Sequence, residues 1–166
     1  MIDIRLLHPA IGAEIGGGDL GLPLDAKIRS VLLHAFALHH VLVFPGADIT
    51  DEQHVTFSRN LNNLETFPQS NIGAARLPEI YRVSNVSEDG EILDIASDTA
   101  RYQSLTQVWH TDGSYLPVPS LGAVLHGFEV TNAGGETQFA NMFRAYDALD
   151  PDLRRKIEPL KARHSF

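Results

Sequence analysis

The sequence predicts an α+β fold, with helices gathered in the first sixty residues and strand-forming segments from Ile80 onward. Two observations carry that expectation. From Asp25 to about His39, and from Thr50 to about Leu61, apolar side chains recur at helical spacing behind a capping residue. Beyond Tyr81 the pattern changes to alternation and β-branched runs punctuated by Gly- and Asn-containing turns. Helices followed by antiparallel-looking strands point to a sheet-rich core with helices beside it. A chain of 166 residues is the size of one domain.

The first punctuation is Gly16-Gly17-Gly18 after Ile11–Ile15, a turn that closes a short edge strand or hairpin. A phosphate loop would need a helix directly after the glycines, and Asp19-Leu20-Gly21-Leu22-Pro23 stands there instead. Asp25 caps the first helix, which sets Ile28, Val31, Leu32, Ala35 and Leu38 on one face. Val41–Phe44 is a short strand stopped by Pro45-Gly46. Thr50 and Gln53 form a capping box for a second helix with Val55, Phe57, Ser58 and Leu61 inward. Tyr81–Val86 then alternates up to a turn at Glu88-Asp89-Gly90, and Val108–Tyr115, Leu121–Val130 and Glu136–Ala140 are rich in strand formers. Ala145–Leu149 and Pro151–Ile157 read as short helices, the latter capped by Asp150 with Pro151 at its first position. Lys161–Phe166 reads as the start of one more strand. A sheet that still needs partners at that point suggests one part of a larger fold.

Composition narrows the chemistry. Thirteen basic against twenty-one acidic side chains give a net charge of -8, which opposes binding to a nucleic-acid backbone. With no cysteine, any metal must be held by His, Asp and Glu, ligands suited to non-haem iron, manganese or zinc. The N-terminus has no secretion-signal pattern, and the apolar run Val31–Phe44 is too short for a bilayer and contains three histidines, so a soluble cytoplasmic protein without membrane partners is expected.

The segment that carries chemistry is Val108-Trp109-His110-Thr111-Asp112-Gly113-Ser114-Tyr115. On a strand, residues two apart share a face, so His110 and Asp112 can offer an imidazole nitrogen and a carboxylate to one metal ion. Spacing alone is weak evidence, because roughly 0.6 His-x-Asp matches arise by chance in this composition. A pair stabilising a turn would have the same spacing.

The flanking sequence adds to the motif. Trp109-His110-Thr111-Asp112 with Gly134-Gly135-Glu136-Thr137-Gln138-Phe139-Ala140 resembles the signature of the taurine dioxygenase and 2,4-dichlorophenoxyacetate dioxygenase (TauD/TfdA) family. Leu42–Gly46, Phe57-Ser58-Arg59 to Leu64-Glu65, Ser84–Ser87 with Asp89-Gly90, and Arg144–Leu149 agree in order, the last two leaning toward the phenoxyacetate branch. The resemblance implies a double-stranded β-helix (jelly roll) with flanking helices. Residues 1–166 would be its N-terminal part, with the barrel incomplete. It further implies an Fe(II)- and 2-oxoglutarate-dependent dioxygenase acting with O2 on a small organic acid of aryloxy-carboxylate or sulfonate type, with homo-oligomers open to a full-length parent. His110 and Asp112 match the first two ligands of the family's 2-His-1-carboxylate triad. Thr137 matches the hydroxyl that hydrogen-bonds the distal carboxylate of 2-oxoglutarate; a strand threonine would look the same without that context.

Two departures stand out. Leu61-Asn62 replaces the family's Phe-Gly, a turn that Asn can still make through a positive φ. The family's second histidine ligand and 2-oxoglutarate arginine have no counterpart here, since His126 and His164, the only histidines after the motif, fall at non-ligand positions. The chain alone is therefore expected to be inactive. The alternatives are a folded module that binds metal weakly without turnover, and a metal-dependent hydrolase or cupin-like binder using another histidine. The side chains that select a substrate are expected partly in the loop Phe67–Pro78 and partly downstream.

Overall fold

The computed structural model describes residues 2–66, 76–87, 90–104 and 107–164. The chain divides into two units, Met1–Leu61 with Leu125–Ser165, and Asn62–Val124.

The first unit is built on a three-stranded sheet of order β1-β2-β3. β1 (Asp3–Leu6) pairs antiparallel with β2 (Ala13–Gly16), and β2 pairs parallel with β3 (Leu42–Val43). Gly17 and Gly18 both adopt positive φ, 74° and 95°, so the chain turns away where β2 ends. β2 is thus the central strand of the three. It alternates as a half-buried strand must: Ala13 and Ile15 are buried, and Glu14 points outward to an ion pair with Arg5.

α1 (Ala26–His39) starts where the Asp25 carboxylate accepts the Ile28 N–H at 2.7 Å. It ends at His40, which takes a left-handed φ of 64° and donates its N–H to the Phe36 carbonyl. The carbonyls of His39 and Val41 accept from Gly12 and Ala13, both at 2.9 Å, so the helix end is tied to β2. α2 (Asp51–Leu61) carries the expected capping box: Thr50 N–H donates to Gln53 Oε1 at 2.8 Å, and Gln53 N–H to Thr50 Oγ1 at 3.3 Å. Arg29 of α1 donates to the carbonyls of Asn60 and Leu61, satisfying the C-terminal end of α2. Ile15, Leu32 and Phe57 form the buried cluster between sheet and helices, with Phe44 edge-on to Phe57 at 5.6 Å.

α4 (Met142–Asp147) and α5 (Pro151–Ile157), which follow α3 (Asp98–Ser104) in the chain, complete this unit. Asn141 caps α4 and also donates to the Ala10 carbonyl at 2.7 Å, while Arg144 donates to the Pro9 carbonyl at 2.9 Å. Phe143 stacks on His40 with ring centroids 5.4 Å apart. Asp150 and Pro151 open α5 as the sequence predicts. In the second unit Val86 and Ile92 form an isolated antiparallel bridge, and Ser97 Oγ accepts the Ala100 N–H at the start of α3.

Several expectations are corrected. Val108–Tyr115, Leu121–Val130 and Glu136–Ala140 are irregular rather than strands, and Tyr81–Val86 contributes only isolated bridges. β-propensity does not make a strand without a ladder partner, and no such partner lies among the described residues. Lys161–His164 has no regular structure; Ser165 and Phe166 lie outside the described residues, as do Glu88-Asp89 and most of the Phe67–Pro78 loop. The fourth helix starts at Met142 instead of Ala145 because Asn141 caps it earlier. Asn62 does not adopt a positive φ; its side chain accepts from Asn63 N–H instead. Val31 and Leu38, expected on the buried face of α1, are exposed, and no described residue after Phe57 is buried.

Leu32→Ala should cost about 2–5 kcal/mol of stability, since it opens a cavity where α1, α2 and β2 meet. Thr50→Ala should cost about 1 kcal/mol through the lost cap. Urea denaturation of the two variants checks both values, and an inverted order would contradict this account of the core.

Candidate metal centre

His110 and Asp112 come together by a route other than the strand the sequence predicts. Residues 109–111 are irregular and lead into a turn at 112–115. Leu116 N–H donates to the Gly113 carbonyl at 2.9 Å, and Gly113 holds a φ of 64° that side chains rarely adopt. A Cβ at Gly113 would lie 2.9 Å from Ser120 Oγ, so the loop packs directly on the glycine. This bend, rather than a pleat, aims the imidazole and the carboxylate at the same point. His110 Nε2 stands 3.2 Å from Asp112 Oδ1.

The protons in the pair follow from its surroundings. His110 Nδ1 lies 2.7 Å from the Val108 carbonyl oxygen. A carbonyl can only accept, so Nδ1 carries hydrogen and Nε2 presents its lone pair in the neutral ring. In that ring a divalent cation between Nε2 and Oδ1 would be held by both groups at once. Two donors at about 2.1 Å from one ion and at right angles are roughly 3.0 Å apart, which the 3.2 Å separation fits. An imidazole with a carboxylate suits Fe(II), Mn(II) or a similar divalent ion. Both side chains are accessible, 46% and 69% exposed. Among the described residues no group of three or more His, Asp or Glu side chains is placed to hold a metal.

The remaining candidates belong to the first unit. Thr137 is exposed in the first unit, after Gly134 and Gly135 with φ of 79° and 74°. The Thr131 hydroxyl donates to the carbonyls of Ala133 and Gly134, at 3.0 and 2.7 Å, and tightens that turn. His126 is half-buried against the ring of His54, centroids 5.8 Å apart, and belongs to no metal-binding group. Sequence reasoning missed the bond from Ser120 Oγ to Glu65 Oε1, 2.6 Å. The available signal was Pro117 and Pro119, which remove two backbone donors and leave the loop to side-chain anchors.

The chain belongs to a family of 2-oxoglutarate-dependent dioxygenases: residues 3–166 match the taurine catabolism dioxygenase TauD, TfdA family. Fe(II) and 2-oxoglutarate are the metal and cosubstrate of that family. Among its relatives, the (S)-phenoxypropionate/alpha-ketoglutarate-dioxygenase of Sphingobium herbicidovorans is 37% identical over 99% of this chain and 53% of its own length. The alpha-ketoglutarate-dependent 2,4-dichlorophenoxyacetate dioxygenase of Cupriavidus pinatubonensis is 32% identical, over 95% of this chain and 56% of its own. The crystal structure of AAD-2 in complex with Mn(II) and N-oxalylglycine superposes with a TM-score of 0.79 at 33% identity, covering 95% of this chain and 53% of that one. A taurine dioxygenase from Burkholderia xenovorans gives 0.76 at 28% identity, covering 95% and 51%. The structural neighbours are TauD-type dioxygenases of jelly-roll fold, and the chain itself shows a small open sheet with helices. It spans about half the length of the relatives it matches.

Gly113→Ala should destabilise the chain by about 1–2 kcal/mol, the cost of a Cβ at a left-handed position. It should also weaken divalent-metal binding, because the turn that aims Asp112 must shift. Trp109 is the single tryptophan and adjoins His110, so quenching of its fluorescence by Co(II) reads the affinity. Wild-type stability and quenching in this variant would contradict the role given to the turn.

Proposed function

We propose that residues 1–166 form the N-terminal part of an Fe(II)- and 2-oxoglutarate-dependent dioxygenase domain that hydroxylates a small organic acid of aryloxy-carboxylate or sulfonate type. The observation that carries this reading is the His110–Asp112 pair, 3.2 Å apart with the outer imidazole nitrogen tied to a carbonyl, in a chain of this family. The substrate class is favoured by the names of the relatives, which act on phenoxypropionate and 2,4-dichlorophenoxyacetate.

His110 and Asp112 would hold the iron through Nε2 and Oδ1, leaving its other positions to a further ligand, the cosubstrate and O2. Bound iron would supply the O2 chemistry that couples decarboxylation of 2-oxoglutarate to hydroxylation of the substrate. The Val108 carbonyl keeps the proton on Nδ1 and so preserves Nε2 as a donor. Thr137 would donate its hydroxyl hydrogen to the distal carboxylate of 2-oxoglutarate. A second histidine ligand and an arginine for that carboxylate would come from a further stretch of the parent protein, whose strands would also cover the exposed apolar side chains Trp109, Val118 and Phe128. The parent would act in the cytoplasm, as a monomer or a homo-oligomer.

A second reading, a module that binds metal weakly without turnover, is favoured by the exposure of the pair and by the absence of a third donor among the described residues. The two readings meet in one expectation: the 166-residue chain alone should form succinate from 2-oxoglutarate only at background rate. Clear succinate formation by the purified chain would overturn it.

In the full-length parent, His110→Ala and Asp112→Ala should each abolish turnover and lower iron content. Thr137→Val deletes one hydrogen bond to a charged carboxylate and should raise the apparent 2-oxoglutarate constant about ten- to a hundredfold with iron content unchanged. Succinate release against 2-oxoglutarate concentration, with iron measured alongside, separates the cases. Wild-type iron affinity and turnover in Asp112→Ala would end the metal-ligand assignment.

A further inference from the structure

Asp112 leads directly into a loop, Gly113 to Ser120, that carries two prolines. Pro117 and Pro119 bring no N–H to it. The turn bond from Leu116 N–H to the Gly113 carbonyl closes only its first half. The second half folds back so that Ser120 lies over Gly113: a Cβ there would meet Ser120 Oγ at 2.9 Å and Ser120 N at 3.4 Å. The same hydroxyl donates to Glu65 Oε1 at 2.6 Å, a charge-assisted bond to a residue 55 positions earlier in the chain. Glu65, Ser120 and Gly113 thus form a line of contacts within one unit that ends on the residue next to Asp112.

We propose that Glu65, acting through the Ser120 hydroxyl, is a positioning residue that holds the Gly113 turn and so fixes the Asp112 carboxylate opposite His110. The inference rests on the reading of His110 and Asp112 as metal ligands. It goes beyond that reading by assigning a role to two residues that touch no metal. Ser120 is half-buried between its two neighbours, whereas the side chains of His110 and Asp112 are 46% and 69% exposed. Orientation of the pair therefore depends on the backbone beneath it. A supporting hydrogen bond of this kind acts on affinity by keeping the ligand in its binding direction before the ion arrives.

The test is Co(II) titration of the 166-residue chain, read by quenching of Trp109, with thermal unfolding recorded in parallel. Ser120→Ala and Glu65→Ala should each weaken Co(II) binding by about tenfold, the lower end of what loss of a supporting hydrogen bond costs a metal site. The double variant should be no weaker than either single one, because both remove the same bond. Glu65→Gln and Ser120→Thr retain an acceptor and a hydroxyl and should bind Co(II) nearly as the parent chain does; this rescue is not expected of a residue that only supports the fold. His110→Ala serves as the control. If it leaves quenching unchanged, the metal-ligand reading itself fails. If it abolishes quenching while Ser120→Ala and Glu65→Ala bind as the parent does, the positioning role alone is overturned. Should Glu65→Ala fail to fold, Ser120→Ala, which removes a single oxygen atom, decides the matter by itself.

Discussion

The contact of Leu32 with Ile15 and Phe57 is the point on which the first unit depends. Each of these residues comes from a different element, and each element lacks cohesion alone: a four-residue strand, and two helices of 14 and 11 residues near the length at which isolated helices are marginal in water. Burying the three side chains together fixes the angle at which α1 and α2 lie on the sheet. The caps at Asp25 and Thr50, and the bonds from Arg29 to the end of α2, then satisfy the polar groups that this burial strands at the helix ends.

The His110–Asp112 pair obeys a different constraint. It is not packed into a core, and its geometry is set by local covalent and hydrogen-bonding rules: a carbonyl that accepts only from Nδ1, a glycine free to take positive φ, and two prolines that limit the loop. The family to which the chain belongs employs Fe(II) with 2-oxoglutarate.

The helices were legible in the sequence because their signals are local. Asp25, Thr50 with Gln53, and Asp150 with Pro151 act on neighbours within one turn, and all three caps form as read. The family was legible from short ordered motifs. The short strands before Gly16-Gly17-Gly18 and at Val41–Phe44 were legible too, as β2 and β3, but the later ones were not: Val108–Tyr115, Leu121–Val130 and Glu136–Ala140 have the composition of strands but no ladder partner among the described residues. The juxtaposition of His110 with Asp112 is legible in their spacing while its cause is not: a glycine turn, rather than period-two alternation, brings them together. α3 went unread since its signal is only Ser97 before Asp98, without an apolar stripe. The anchoring of Ser120 by Glu65 spans 55 positions; Pro117 and Pro119 signal that the loop needs an anchor, but nothing local names Glu65 as the partner.

The anchoring of α4 onto Pro9 and Ala10 has a consequence for biosynthesis. The Arg144 bond joins residues 135 positions apart, and the whole second unit is encoded between its ends. When Leu61 has just been synthesised, β1, β2, β3, α1 and α2 all exist, yet Asn141 and Arg144 do not. At ordinary translation rates of about 5–20 residues per second, the eighty residues that separate Leu61 from Asn141 take roughly four to sixteen seconds. Throughout that interval the carbonyls of Pro9 and Ala10 bond to water, and the ring of His40 has no Phe143 to cover it. The bonds that tie α4 to Pro9 and Ala10 can therefore form only after the whole of the second unit has been synthesised.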